Sequence, residues 1–126
     1  MKLTFPVTAI LILLSVPNFA LQSQAAPPPT LVGQCSDTLV SNEGTRLEVG
    51  SGTSIQFTNG INLVSYDTIP ATARSRRGDP VKLCLISIPE NCPPGDNRGK
   101  IYTVTNLRTK KKFSLPDSLH RCGVKS

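Results

Sequence analysis

Short runs of apolar, β-branched and aromatic residues between turn signals, with no long stretch of helical periodicity, organise the chain beyond its first 25 residues. Residues 53–58 and 61–66 are rich in β-branched and aromatic side chains, which suit a pleated, half-buried surface. Asn59-Gly60 stands between them and predicts a two-residue hairpin turn, because both residues tolerate positive φ. That turn sets Phe57 across from Asn62, Ile55 across from Val64 and Thr53 across from Tyr66. Ile55, Phe57, Val64 and Tyr66 then share one face.

Residues 45–49 read as a third short strand, turning into the hairpin through Gly50-Ser51-Gly52. Residues 81–88 are the most apolar run outside the first 25 and show no clean alternation, so they read as a central strand covered on both faces, with Cys84 inside it. Pro89, Pro93, Pro94 and Gly95 end that run. Residues 101–107 and 113–115 form a second hairpin around residues 108–112, which places three consecutive lysines at an exposed tip or edge, where they also discourage edge pairing. The sum is an all-β domain of about six strands, a small disulfide-stabilised sandwich or partly open barrel.

The opening residues have a different pattern. Lys2 supplies a short positive region, an apolar run extends to Val16, and Ser23-Gln24-Ala25 places small residues where a signal peptidase reads them. Residues 1–25 are therefore read as a signal peptide cleaved after Ala25, with Ala26 the next choice. The run is interrupted by Pro6, closed by Pro17, and falls short of the ~20 apolar residues of a membrane-spanning helix. Leu31-Val32-Gly33-Gln34-Cys35 only faintly resembles a lipidation box, because Gln34 is bulky and Cys35 lies far beyond the apolar run. Residues 26–34 form a proline-rich leader, read as extended and exposed, and residues 35–126 form the single β domain.

Export changes the reading of the cysteines. In a periplasmic or secreted protein, Cys35, Cys84, Cys92 and Cys122 are expected to form two disulfides, on which a small core leans for stability. Three pairings are open. Cys84 with Cys92 as a local clip and Cys35 with Cys122 as a tie between the ends is the favoured one, although spacing does not decide it. A single histidine and the lack of any CxxC spacing argue against zinc, and no cofactor or metal site is expected.

Beyond residue 25 the chain has thirteen Lys and Arg against eight Asp and Glu. Residues 26–67 carry one of these cations and four of the acids, so the positive charge belongs to the C-terminal half. Such a protein suits an anionic envelope or extracellular polymer, in a salt-dependent way; an unidentified protein partner is the other option. Inhibition of a host lysozyme fits poorly, because two basic proteins repel each other on encounter. Sequence-specific nucleic-acid binding lacks the aromatic residues that would stack bases within the basic segments.

Candidate chemistry follows from these charges. Arg74, Arg76 and Arg77, if folded towards Lys110, Lys111 and Lys112, would form one anion-binding patch, with guanidinium groups able to grip phosphate or sulfate. Arg77-Gly78-Asp79 matches an adhesion tripeptide and lies in a segment that offers a loop tip; it reads equally as a plain turn. Asp117, Ser118 and His120 supply the residue types of a small hydrolase centred on His120, but triads draw their members from separate elements, and the turn reading of Pro116-Asp117-Ser118 is preferred. Asp79 and Asp96 stand in turn contexts and are read as turn residues before paired catalytic carboxylates. The preferred function is a non-enzymatic binding or interaction module.

Cys84-Leu85-Ile86-Ser87-Ile88-Pro89, then Cys92-Pro93-Pro94-Gly95-Asp96-Asn97-Arg98-Gly99, Thr105-Asn106-Leu107-Arg108-Thr109, and the segment from Leu115 through His120-Arg121-Cys122-Gly123 carry a resemblance. Over roughly residues 60–123 the chain resembles a group of uncharacterised small exported proteins of Gram-negative bacteria that share a disulfide-bearing C-terminal half. It departs from them at Phe113 and Leu119, where members carry Trp and Gln. The resemblance implies a periplasmic address and supplies no substrate, cofactor or catalytic residue.

Overall fold

The structure, a computed structural model, describes residue 4 and residues 26–124. The signal peptide read over residues 1–25 thus lies outside the described residues, Thr4 apart. Six antiparallel strands form one curled sheet, a half-barrel: β1 (Cys35–Gly44), β2 (Thr53–Phe57), β3 (Asn62–Ser65), β4 (Pro80–Ser87), β5 (Ile101–Asn106) and β6 (Lys112–Pro116), in the spatial order β3-β2-β1-β4-β5-β6. A single helical turn, α1 (Pro70–Ala73), lies between β3 and β4. Among the described residues no helix is long and apolar enough to cross a membrane.

The curl originates in β1. Its first half pairs with β4, from Cys35 opposite Cys84 to Leu39 opposite Pro80, and its second half pairs with β2, from Val40 opposite Phe57 to Gly44 opposite Ser54. The register slips between Val40 and Asn42, and such a bulge bends and twists a strand where it changes partners. The sequence pattern predicts a strand over residues 45–49 and none over residues 35–44. The strand in fact precedes those residues, because Thr38 and Val40 turn inward to the core while Leu47 and Val49 stay in solvent.

Period-two burial fills the concave side. Val81, Leu83 and Leu85 of β4, Tyr102 and Val104 of β5, Phe113 and Leu115 of β6, and Ile55, Phe57 and Leu63 of the first hairpin are all buried. Leu83 faces Val104, Leu85 faces Tyr102, and Tyr102 faces Leu115 across the ladders, so each strand presents its apolar set in register with the next. β4 is central as expected but is covered on one face only: Lys82 and Ile86 point outward.

The first hairpin forms around Asn59-Gly60, yet its register differs by one from that of a two-residue turn. Ile55 pairs with Leu63, Ser54 with Val64 and Thr53 with Ser65. The loop has three residues, Thr58, Asn59 and Gly60. The Gly60 N–H donates to the Phe57 carbonyl (3.0 Å), the Phe57 N–H donates to the Ile61 carbonyl (2.9 Å), and only Gly60 (φ 91°) has positive φ. A turn followed by a left-handed glycine adds one residue to the loop. Leu63 therefore replaces Val64 in the core and Tyr66 is exposed.

The disulfides pair Cys35 with Cys84 and Cys92 with Cys122, which corrects the favoured pairing. Cys35 and Cys84 face each other across the β1–β4 ladder with Cα atoms 4.0 Å apart, and Cys92–Cys122 ties the β4–β5 connection to the C-terminal segment. The leader is also more integrated than expected. Pro29 is buried, the Ala26 N–H donates to the Asp37 carbonyl, and Gly33 and Gln34 continue the ladder onto Leu85.

Candidate functional site

Antiparallel order places the connections β1–β2 (residues 45–52), β3–β4 (residues 66–79) and β5–β6 (residues 107–111) at the same end of the sheet. Asn106, fully buried at the end of β5, shapes the last of these. Its side-chain oxygen accepts from the N–H groups of Arg108 (2.9 Å) and Thr109 (3.1 Å), and its amide nitrogen donates to Ser75 Oγ (3.2 Å) and Asp79 Oδ2 (2.9 Å). One buried amide thus fixes the tip of the second hairpin and fastens it to the β3–β4 connection.

Asp79 is the other fastener. Only 4% exposed, it takes the Arg108 guanidinium through both oxygens, Nε to Oδ1 at 2.6 Å and Nη2 to Oδ2 at 2.9 Å, and accepts the Arg76 N–H at 2.8 Å. Arg108 also donates to the Arg74 carbonyl at 2.7 Å. The Arg108 fork, with Asn106 and the Arg76 amide, holds the Asp79 carboxyl well below the usual carboxylate range against the opposing effect of burial. The Arg77-Gly78-Asp79 tripeptide accordingly does not present its acid at a loop tip: the carboxylate faces inward and all its bonds are made within the chain. This withdraws the structural premise of the adhesion reading.

The rivet brings the basic loops together. Arg74, Arg76 and Lys111, with Ala73, Arg108 and Thr109, line a concavity of about 480 Å³. An adjoining one of about 360 Å³ is lined by Ile69, Pro70, Ala71 and Phe113, together with Arg74, Lys111 and Lys112. Arg74 and Lys111 border both. Arg77 and Lys110 are exposed on the same connections, Lys110 at a positive φ of 61° that closes the tip. Asp79 pairs with Arg108, and of the six cations singled out from the sequence, Arg74, Arg76, Lys111 and Lys112 line these concavities whereas Arg77 and Lys110 line neither.

Charge is partitioned along the molecule. The three connections and Lys112 hold eight cations and three carboxylates, whereas the rest of residues 26–124 holds four cations and five carboxylates. The net positive charge is thus concentrated at one end. Sequence reading missed the roles of Arg108, Asn106, Ser75 and Asp79; Asp79 beside Pro80 and Asn106 at the end of an apolar strand read locally as turn residues, and only the fold shows them meeting.

The residues of the hydrolase reading do not assemble. Asp117 Oδ1 accepts the Gly99 N–H at 2.8 Å, and Ser118 Oγ accepts the His120 N–H at 3.3 Å. Asp117 thus serves a backbone amide of a distant segment, where the turn reading expects a nearby one. Asp96 binds Arg98 (2.9 Å) and the Gly123 N–H (2.9 Å), which holds its carboxyl below the usual range, so Asp79 and Asp96 each sit in a separate arginine pair. Comparison with protein-family models, with curated proteins and with solved structures finds no match to this chain.

Proposed function

We propose that this protein is an exported, non-enzymatic binding module that uses the end of its half-barrel bearing Arg74, Arg76 and Lys111 to hold an anionic polymer of the cell envelope or extracellular space. The observation that carries the reading is the concentration of net positive charge around a preformed concavity. Asp79, Arg108 and Asn106 fix the two loops in advance, so little ordering entropy opposes binding. Guanidinium groups at Arg74 and Arg76 suit phosphate or sulfate, whose oxygens accept paired N–H donors. Two disulfides within residues 26–124 support an oxidising address, periplasmic or secreted.

The reading is tested by binding of the oxidised protein to heparin, lipopolysaccharide, peptidoglycan and DNA across a salt series. One polymer should remain bound at physiological salt and be lost from the Arg74→Gln/Arg76→Gln/Arg77→Gln variant. Weak, indiscriminate binding that disappears with modest salt would reduce the charge to a solubilising role.

A further inference from the structure

The β1–β2 connection belongs to the same end of the sheet but has a different surface. Leu47 and Val49 are 86% and 97% exposed, the two most exposed of the large apolar side chains among the described residues. A lone exposed Leu is ordinary. What distinguishes this pair is a loop folded to hold both of them outward. Ser51 Oγ accepts from the N–H groups of Leu47 and Glu48 (both 3.1 Å) and donates to the Glu48 carbonyl (2.7 Å), which also receives the Ser51 N–H (3.0 Å). Two amide donors at the tip are therefore satisfied within the loop and need no water, a condition for entering an apolar medium cheaply.

Its base is also fixed. Arg46 donates to the Ser51 carbonyl (2.7 Å) and its guanidinium lies 4.7 Å from the centre of the exposed Tyr66 ring. Leu107, 41% exposed, stands on the β5–β6 connection at this end as well. An apolar tip with an aromatic residue and a cation at its base, on the end of the molecule that also holds its surplus of Arg and Lys, combines the two signals that stable membrane attachment requires: apolar insertion and attraction to anionic headgroups. Glu48 lies between the two apolar residues and limits entry to the headgroup boundary.

We infer that this end of the protein docks on an anionic lipid surface, inserting Leu47 and Val49 among the headgroups while the Arg and Lys of the neighbouring connections meet the lipid phosphates. The inference goes beyond the anionic-polymer reading by adding a lipid surface as partner, and it rests on that reading's cationic end for the headgroup contacts only; insertion is carried by the β1–β2 loop.

The oxidised protein is titrated with vesicles of phosphatidylcholine containing phosphatidylglycerol and with vesicles of phosphatidylcholine alone, with heparin binding measured in parallel. Binding to the anionic vesicles alone is expected, weakened about tenfold or more in Leu47→Asn/Val49→Asn, with heparin affinity unchanged. The chain has no tryptophan, so Val49→Trp supplies a reporter whose emission should shift to the blue on the anionic vesicles. Failure to bind those vesicles, an unchanged affinity in the double variant, or an unshifted emission in the vesicle-bound Val49→Trp protein overturns insertion. Heparin binding that survives any of these leaves the anionic-polymer reading standing by itself.

Discussion

Asp79 shows how far a residue's neighbours in sequence can mislead about its role. Between Gly78 and Pro80 it reads as part of a solvent-exposed turn, but β4 and β5 carry it beside Asn106 and under the fork of Arg108. Asp79→Asn keeps the shape, loses the charge and leaves Arg108 without its anion. A loss of about 1–3 kcal/mol in urea denaturation is expected, with the half-exposed Arg108 supplying less of it than the buried donors. The pH dependence has a definite sign. Because the folded carboxyl titrates below its ordinary value of 3.8, the unfolded chain takes up the proton first; the stabilisation is complete above that value and is lost as pH falls below about 4. Acid denaturation should therefore be shallower in Asp79→Asn than in the wild type. Equal acid sensitivity would mean that the Asp79–Arg108 pair contributes no net stability.

At the scale of elements, glycine positions separate conformational need from steric need. Gly50 has a positive φ of 84° with open space where a Cβ would stand, so Gly50→Ala should cost about 1 kcal/mol. Gly52 has a φ of 119°, and a Cβ there would run into the Ser65 carbonyl oxygen and the backbone of Tyr66. Gly52→Ala should cost at least about twice as much and disturb the β2–β3 end of the sheet; thermal unfolding of the two variants checks the order. Strand content was legible from the β-branched and aromatic residues of β2 and the apolar run of β4, but the one-sided burial of Val81, Leu83 and Leu85 was not, because Ile86 and Ile88 place apolar residues at the exposed positions and mask the alternation. The first hairpin was legible from its Asn59-Gly60 turn and the second from the two runs that flank residues 108–112. The register of the first was not, because Asn59-Gly60 fits a two-residue turn as well as the last two positions of a three-residue loop. β1 was missed because Ser36, Asp37, Ser41 and Asn42 interrupt its apolar positions, and pairing with two different strands is a property of the sheet and leaves no local signal.

For the molecule as a whole, two long closures and a modest core set the stability. Cys35–Cys84 spans 49 residues and Cys92–Cys122 spans 30, and loop entropy makes each worth about 2–4 kcal/mol. Replacing Cys35 and Cys84 by Ala should lower the unfolding midpoint more than replacing Cys92 and Cys122, because the first pair closes the longer loop and joins the strand on which the sheet bends. The cations of the two connections were legible in the sequence. That Arg74, Arg76, Lys111 and Lys112 line adjoining concavities was not, since it depends on Asn106 and Asp79 fastening two connections about 30 residues apart. The central claim is that the charge at this end forms a binding site and does more than keep the protein in solution. Heparin affinity over a salt series, for Arg74→Gln/Arg76→Gln/Lys111→Gln and for a control, Lys82→Gln/Lys100→Gln/Arg121→Gln, tests it most directly, because both variants remove three charges. The account predicts that the first set abolishes most binding and flattens the salt dependence while the control stays near the wild type. Equal losses in the two sets would contradict it, since net charge alone would then explain the binding.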